Sequence, residues 1–259
     1  MSEVILYRKE GHVATITLNR PEALNAITVE MIEELTAVLS VAGGDEEIRV
    51  LLLTGSGRAF CVGADILQLK RWTEDSRLRE RFRLGAPEMF RLLQEFRRPI
   101  IAAVNGVAAA GGFELCCLAD IVVAVEEAMI GDAHANYVGF GPVSAVMAAR
   151  MMPRKLACEL LFTGEMWSAR RLELAGFVNR VVPSDQLMAV ANRLAERIAS
   201  KPPLALAAAK GLMRQLDQLE PRALLAEAFA CAERMFESED FGEGLRAFEE
   251  HRPPAFKGM

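Results

Sequence analysis

Three short apolar runs limit this chain to few folds: Val50-Leu51-Leu52-Leu53-Thr54, Pro99-Ile100-Ile101-Ala102-Ala103-Val104 and Ile121-Val122-Val123-Ala124-Val125. None alternates with polar residues, so each predicts a strand covered on both faces. The first closes at Gly55-Ser56-Gly57 and the second at Asn105-Gly106, after which Gly111-Gly112 opens a helix through Glu114, Leu115 and Leu118. Strand, helix and strand in such short order imply a parallel crossover sheet within an α/β fold.

The flanks add detail. Val4 to Tyr7 and Val13 to Leu18, joined at Glu10-Gly11-His12, predict a hairpin. Thr28 is a candidate N-cap for a helix with apolar residues at Val29, Ile32, Leu35, Val38 and Leu39. From Gln68 to Arg98 the chain is strongly charged, which predicts solvent-facing helices around a mobile, substrate-side loop. Beyond Pro142 nearly everything follows helical spacing, with breaks at Pro153, Gly164, Gly176, Pro183 and Pro202-Pro203. The 259 residues therefore predict one core domain, residues 1–195, and a helical C-terminal region, residues 196–259.

A net charge of −5 disfavours nucleic acid and anionic membranes as partners. No apolar run reaches the roughly 18 to 20 residues of a membrane span, and the N-terminus has no secretory pattern, so a cytoplasmic protein is expected. Five cysteines without CxxC spacing are expected to be small buried hydrophobes, not metal ligands.

Two loops carry the candidate chemistry. In GSGRAFCVGAD (Gly55 to Asp65) and NGVAAAGGFEL (Asn105 to Leu115), a buried strand leads into small residues that leave backbone N–H groups open to a ligand. The second ends at a helix start, where unpaired N–H groups and the positive dipole end coincide. The first lacks a P-loop lysine and the second lacks the dinucleotide fingerprint, which demotes nucleotide hydrolysis and hydride transfer. Stabilisation of a developing enolate oxygen fits better.

With NRPEALNAI (Asn19 to Ile27), RPIIAAVNGVAAAGGFEL (Arg98 to Leu115), ADIVVA (Ala119 to Ala124), LFTGEMWSARRLELAGFVNRVVP (Leu161 to Pro183) and FEEHRPPAFKG (Phe248 to Gly258), the sequence resembles the enoyl-CoA hydratase/isomerase (crotonase) family over nearly its whole length. The resemblance implies a crotonase-like (ClpP/crotonase) spiral of ββα units with a helical C-terminal trimerisation region, as a homotrimer or a hexamer made from two trimers. It implies a coenzyme A thioester as substrate, with no permanently bound cofactor and no metal. The backbone N–H groups of Ala64 and Gly111 would hold the thioester oxygen, and Glu114 would be the first catalytic glutamate. The second glutamate is replaced by His134, whose imidazole can also give or take a proton near neutrality; Asp132 is the nearby alternative. Ala23, Leu24, Ala26, Gly63, Asp65, Ile66, Gly112, Phe113, Phe140, Pro142, Phe256 and Lys257 would contact substrate.

Some positions depart from the pattern. Glu22 and Leu67 stand where lysines are common near the coenzyme A phosphates, so Lys70, Arg71, Arg58 or a neighbouring subunit's Lys257 would supply the charge, or the carrier is instead an acyl carrier protein. Gly139 to Ser144 is short and poor in glycine, which predicts a reshaped acyl-pocket floor. Reversible hydration of a 2-enoyl thioester is the expected reaction. Double-bond isomerisation, thioester or C–C hydrolysis, and a non-catalytic binding module remain open.

Overall fold

The computed structural model describes residues 4–137, 139–216 and 219–259. The strands are β1 (Ile5–Glu10), β2 (Val13–Leu18), β3 (Val50–Gly55), β4 (Ala59–Cys61), β5 (Ile100–Val104), β6 (Val107–Ala109), β7 (Ile121–Val125), β8 (Met129–Gly131), β9 (Trp167–Ser168) and β10 (Arg180–Val182). The helices are α1 (Val29–Gly44), α2 (Ile66–Lys70), α3 (Ser76–Glu95), α4 (Gly111–Leu118), α5 (Pro142–Met151), α6 (Arg154–Thr163), α7 (Ala169–Leu174), α8 (Leu187–Ala199), α9 (Pro203–Arg214), α10 (Pro221–Phe236) and α11 (Glu239–Glu249).

The hairpin and the three apolar runs form one sheet in the order β1-β2-β3-β5-β7-β10, parallel except for β1 against β2. Val50 to Leu53 and Ile100 to Val104 are buried along their length, as unbroken apolar runs require. Thr28 caps α1, its side chain accepting from the Met31 N–H at 3.2 Å. The charged stretch folds into α2 and α3; α3 buries only Leu78, Met89 and Leu93 and packs on α1.

A second sheet, β4-β6-β8-β9, was not legible in the sequence because its strands have two or three residues, too few to show alternation. It sets the architecture. β3-β4, β5-β6 and β7-β8 each give one strand to the large sheet and the next to the small one, and a helix follows: a spiral of ββα units. The helical region expected beyond Pro142 also contains β9 and β10, and β10 extends the large sheet beside β7. Helix α8 packs across β3, β5 and β7 and runs through residue 195. The C-terminal helices are tied back by Lys210 Nζ, which bonds Asp120 Oδ2 at 2.5 Å and the Arg98 carbonyl at 2.8 Å. No helix among the described residues is long and apolar enough to cross a membrane.

Helix α4 sits so close under β4 that a Cβ on Gly112 would stand 2.1 Å from the Cys61 carbonyl oxygen. The obstacle is backbone at the end of β4 and not the far end of a side chain, so nothing can swing aside. Gly112→Ala is therefore expected to lower stability by about 3 kcal/mol or more, read as a shifted urea midpoint; a midpoint within error of the parent protein would show that α4 is not clamped this way.

Candidate active site

Loop one is held in shape by side-chain amides. Asn25 Nδ2 donates to the Ser56 and Ala59 carbonyls, and Asn105 Nδ2 donates to Gly57 and Ala59, joining the ends of β3 and β5. The chain then passes Gly63 at φ +85°, a conformation suited to glycine. Ile27 N–H donates to the Gly63 carbonyl at 2.7 Å and Asp65 N–H to the Ile27 carbonyl at 2.9 Å. Successive peptide groups in extended chain face opposite sides, so the Ala64 N–H is turned away from Ile27. No protein acceptor takes it among the described residues.

Loop two arrives by pairing. β6 runs parallel to β4, with Ala59 opposite Val107 and Cys61 opposite Ala108. Ala110 follows at φ +49° and ψ −116°, outside the regions comfortable for an L-residue. Such strain costs on the order of 1 to 3 kcal/mol and persists where surrounding contacts enforce it. Here it starts α4 at Gly111, whose N–H has no intrahelical acceptor. The loops touch: the position of a Gly111 Cβ would lie 3.3 Å from Gly63 Cα. Ala64 and Gly111 both line a cavity of about 730 Å³ between α3 and α5.

Glu114 lies one turn into α4 on the wall of this cavity and is 2% exposed. Its Oε1 accepts from the N–H groups of Val143 at 2.8 Å and Ser144 at 3.2 Å, the first turn of α5. That fixes the carboxyl group and leaves Oε2 without a protein donor among the described residues. Burial raises its pKa above the ordinary carboxylate value of 4.5; the charge of His134 and the two α5 N–H groups oppose this without cancelling it.

His134 also lines the cavity. Its Nδ1 is 2.7 Å from Asp132 Oδ1, which in turn accepts from Ser144 Oγ at 2.6 Å. A carboxylate on Nδ1 makes that nitrogen the donor and leaves Nε2 for the cavity. Burial acts against the imidazolium, but the Asp132 hydrogen bond and the charges of Asp132 and Glu114 outweigh it, so the pKa rises above 6.5. Asp132 itself is 2% exposed and is not among the residues lining the cavity; its carboxylate meets the cavity only through the His134 ring. The spacing Asp132-x-His134 was visible in the sequence; the Ser144 link was not, since it depends on α5 folding over the loop.

The cavity brings together Ala64, Gly111, Glu114, His134, Phe140 and Pro142 of the residues expected from the sequence. Gly63 and Gly112 lie behind this wall as close-packed backbone. Asp65 caps α2 and pairs with Arg20 at 3.0 Å, while Ile66 is exposed at the start of that helix. Ala23 and Leu24 form a turn, and Ala26 is buried with its carbonyl bonded to Arg20. Phe113 has no exposed surface and stacks on Phe177 at 5.1 Å, in the core and away from the cavity. Phe256 lines a separate apolar groove between α9 and α11, and Lys257 is exposed beside Glu239. The α3 wall, with Phe82, Ala86 and Phe90, was missed as cavity lining because the charged surface of that helix dominates its composition. No cluster of three or more His, Cys, Asp or Glu able to hold a metal ion occurs among the described residues.

Residues 8–259 match the model of the enoyl-CoA hydratase/isomerase family. The chain is 36% identical to the 2,3-dehydroadipyl-CoA hydratase of Escherichia coli (strain K12) over 259 residues, 100% of both chains. It is 35% identical to the (E)-benzylidenesuccinyl-CoA hydratase of Thauera aromatica over 252 residues, 96% of each. Its fold matches the crystal structure of enoyl-CoA hydratase from Bacillus anthracis with a TM-score of 0.92 at 31% identity, covering 99% of this chain and 100% of that one.

The coupling of His134 to Asp132 is open to direct titration. The imidazole should titrate above 6.5, and Asp132→Asn, which removes the charge but keeps the shape, should lower that value. Histidine ring signals followed by NMR against pH check this; identical titration curves in the two proteins would mean that the carboxylate does not govern the ring.

Proposed function

The chain belongs to the enoyl-CoA hydratase/isomerase family, and on that footing we propose that it adds water reversibly to a 2-enoyl-CoA thioester. The observation that carries the proposal is one cavity wall bearing two N–H groups without protein acceptors among the described residues, at Ala64 and Gly111, beside two proton carriers, the buried Glu114 and the half-buried His134.

In this mechanism the two N–H groups bind the thioester oxygen and strengthen their hold as it gains enolate charge. Each such donor is worth about 3 to 4 kcal/mol in the transition state. Glu114, ionised, takes a proton from water through Oε2 while the water oxygen bonds to the β carbon. The α carbon of the enolate then takes a proton from Nε2 of the His134 imidazolium. Glu114 ends protonated and His134 neutral, and solvent exchange restores both. The Asp132–His134 pair supports the proton-donor role, because a carboxylate on Nδ1 favours the imidazolium. Lys70, Arg71 and Arg58 are exposed cations available to the coenzyme A phosphates in place of the absent lysines. The exposed apolar residues of α10 and α11, among them Phe229, Phe236 and Leu245, suit burial between subunits of a trimer or of a hexamer built from two.

Loss of the conjugated thioester absorbance of crotonyl-CoA tests the reaction itself. Hydration abolishes the signal, whereas an enzyme that only creates it from a 3-enoyl-CoA is an isomerase. Glu114→Gln should lower kcat by about a hundredfold or more and His134→Ala by at least about tenfold, the range of general acid–base catalysis; wild-type turnover by either variant would remove that residue from the mechanism. The profile of kcat/KM against pH should be bell-shaped. Its acid limb, deprotonation of Glu114, lies above 4.5, and its alkaline limb, deprotonation of His134, lies above 6.5. His134→Ala should abolish the alkaline limb. Light scattering should return three or six times the 28.4 kDa of one chain; a monomer would exclude the assembly.

A further inference from the structure

The cavity is larger than a short acyl chain needs, and its α3 wall is not purely apolar. Phe82, Ala86 and Phe90 are interleaved with Arg79 and Arg83 on the face that looks into it. Most arginines along α3 are engaged. Arg81 is bidentate to Glu33 on α1, and Arg91 is held between Glu88 and Glu95. The Arg79 guanidinium has no carboxylate within ion-pair distance among the described residues. Arg83 is bidentate to Glu80 on its own helix, Nε at 2.9 Å and Nη2 at 2.7 Å. Both side chains are more than half exposed, however, and a solvated i,i+3 pair of this kind is worth a few tenths of a kcal/mol and can be exchanged for another carboxylate. In the same wall the buried Nε1 of Trp72, whose ring packs on Phe82 at 5.0 Å, has no acceptor among the described residues. A buried N–H left without an acceptor is costly unless something entering the site supplies one.

Resting on the hydratase reading of this cavity, we propose that the acyl group it takes ends in a carboxylate, received by Arg79 and Arg83 across the cavity from Glu114 and His134. Residues four apart on a helix stand about 6 Å from one another, so both guanidinium groups can reach one carboxylate. The planar fork of arginine matches carboxylate geometry, and the neighbouring aromatic rings reduce the solvation with which such a bond must compete. The apolar stretch at Phe82 and Ala86 suits the methylene groups between the thioester and the charged end.

The test compares two six-carbon trans-2-enoyl-CoA thioesters, one ending in a methyl group and the other in a carboxylate, with the parent protein and with an Arg79→Gln, Arg83→Gln double variant. The parent should favour the carboxylate by about tenfold or more in kcat/KM, and the variant should lose most of that ratio. Preference for the methyl-ended substrate overturns the inference. So does an equal loss on both substrates in the variant, which would assign the arginines to the coenzyme A phosphates common to both. If neither compound is hydrated, the hydratase reading fails, and calorimetric binding of the two corresponding saturated acyl-CoA thioesters decides the inference separately. Tighter binding of the carboxylated thioester by the parent alone supports it; equal affinities overturn it.

Discussion

The parallel pairing of β4 with β6 is the contact on which the rest of the site depends. Two loops some fifty residues apart would have no reason to meet if they were only glycine-rich turns. Joined as strands, they are held at hydrogen-bonding distance, and the chain just beyond each strand is carried to the same place. There Gly63 and Gly111 pack against one another, and Gly112 lies under the Cys61 carbonyl. Close contact of this kind excludes side chains, which is why the amides of Ala64 and Gly111 remain reachable by a ligand. The strained backbone at Ala110 is tolerated for the same reason: pairing of β6 on one side and α4 on the other leaves it no alternative.

Around this frame the charged groups form a linked set. Burial makes Glu114 a weaker acid than usual, and Asp132 makes His134 a stronger base than usual. Both shifts bring the two groups towards the neutral range from opposite chemical types, a useful condition for exchanging protons with one substrate. The second carboxylate of the family pattern is not simply lost. A carboxylate at Asp132 bonds the imidazole, so that in the proposed mechanism the segment still presents a proton donor to the cavity.

Much of the fold was legible because long-range order left local marks. Runs such as Val50 to Leu53 and Ile100 to Val104 can only be strands buried on both faces, and Thr28 announces a helix by its own hydroxyl. The small sheet left no mark, since Ala59-Phe60-Cys61 and Val107-Ala108-Ala109 are too short to show a period and owe their strand character to each other. At the site, Glu114, His134, Phe140 and Pro142 could be named from sequence and do line the cavity. Phe113 could not be told from a pocket residue, because helical position alone does not say which face meets the core; it stacks on Phe177 instead. The inner face of α3 was hidden by the charges that surround it.

The carboxyl group of Glu114 holds the first turn of α5 through Oε1, while Oε2 has no protein donor among the described residues. In the proposed mechanism one side chain is thus both keystone and reagent. Whenever Glu114 gains a proton, the grip on Val143 and Ser144 weakens with it, and Val143 is itself part of the chamber lining. The outline of the chamber and its protonation state are therefore one variable, and substitutions at this position change the shape presented to the acyl chain together with the chemistry.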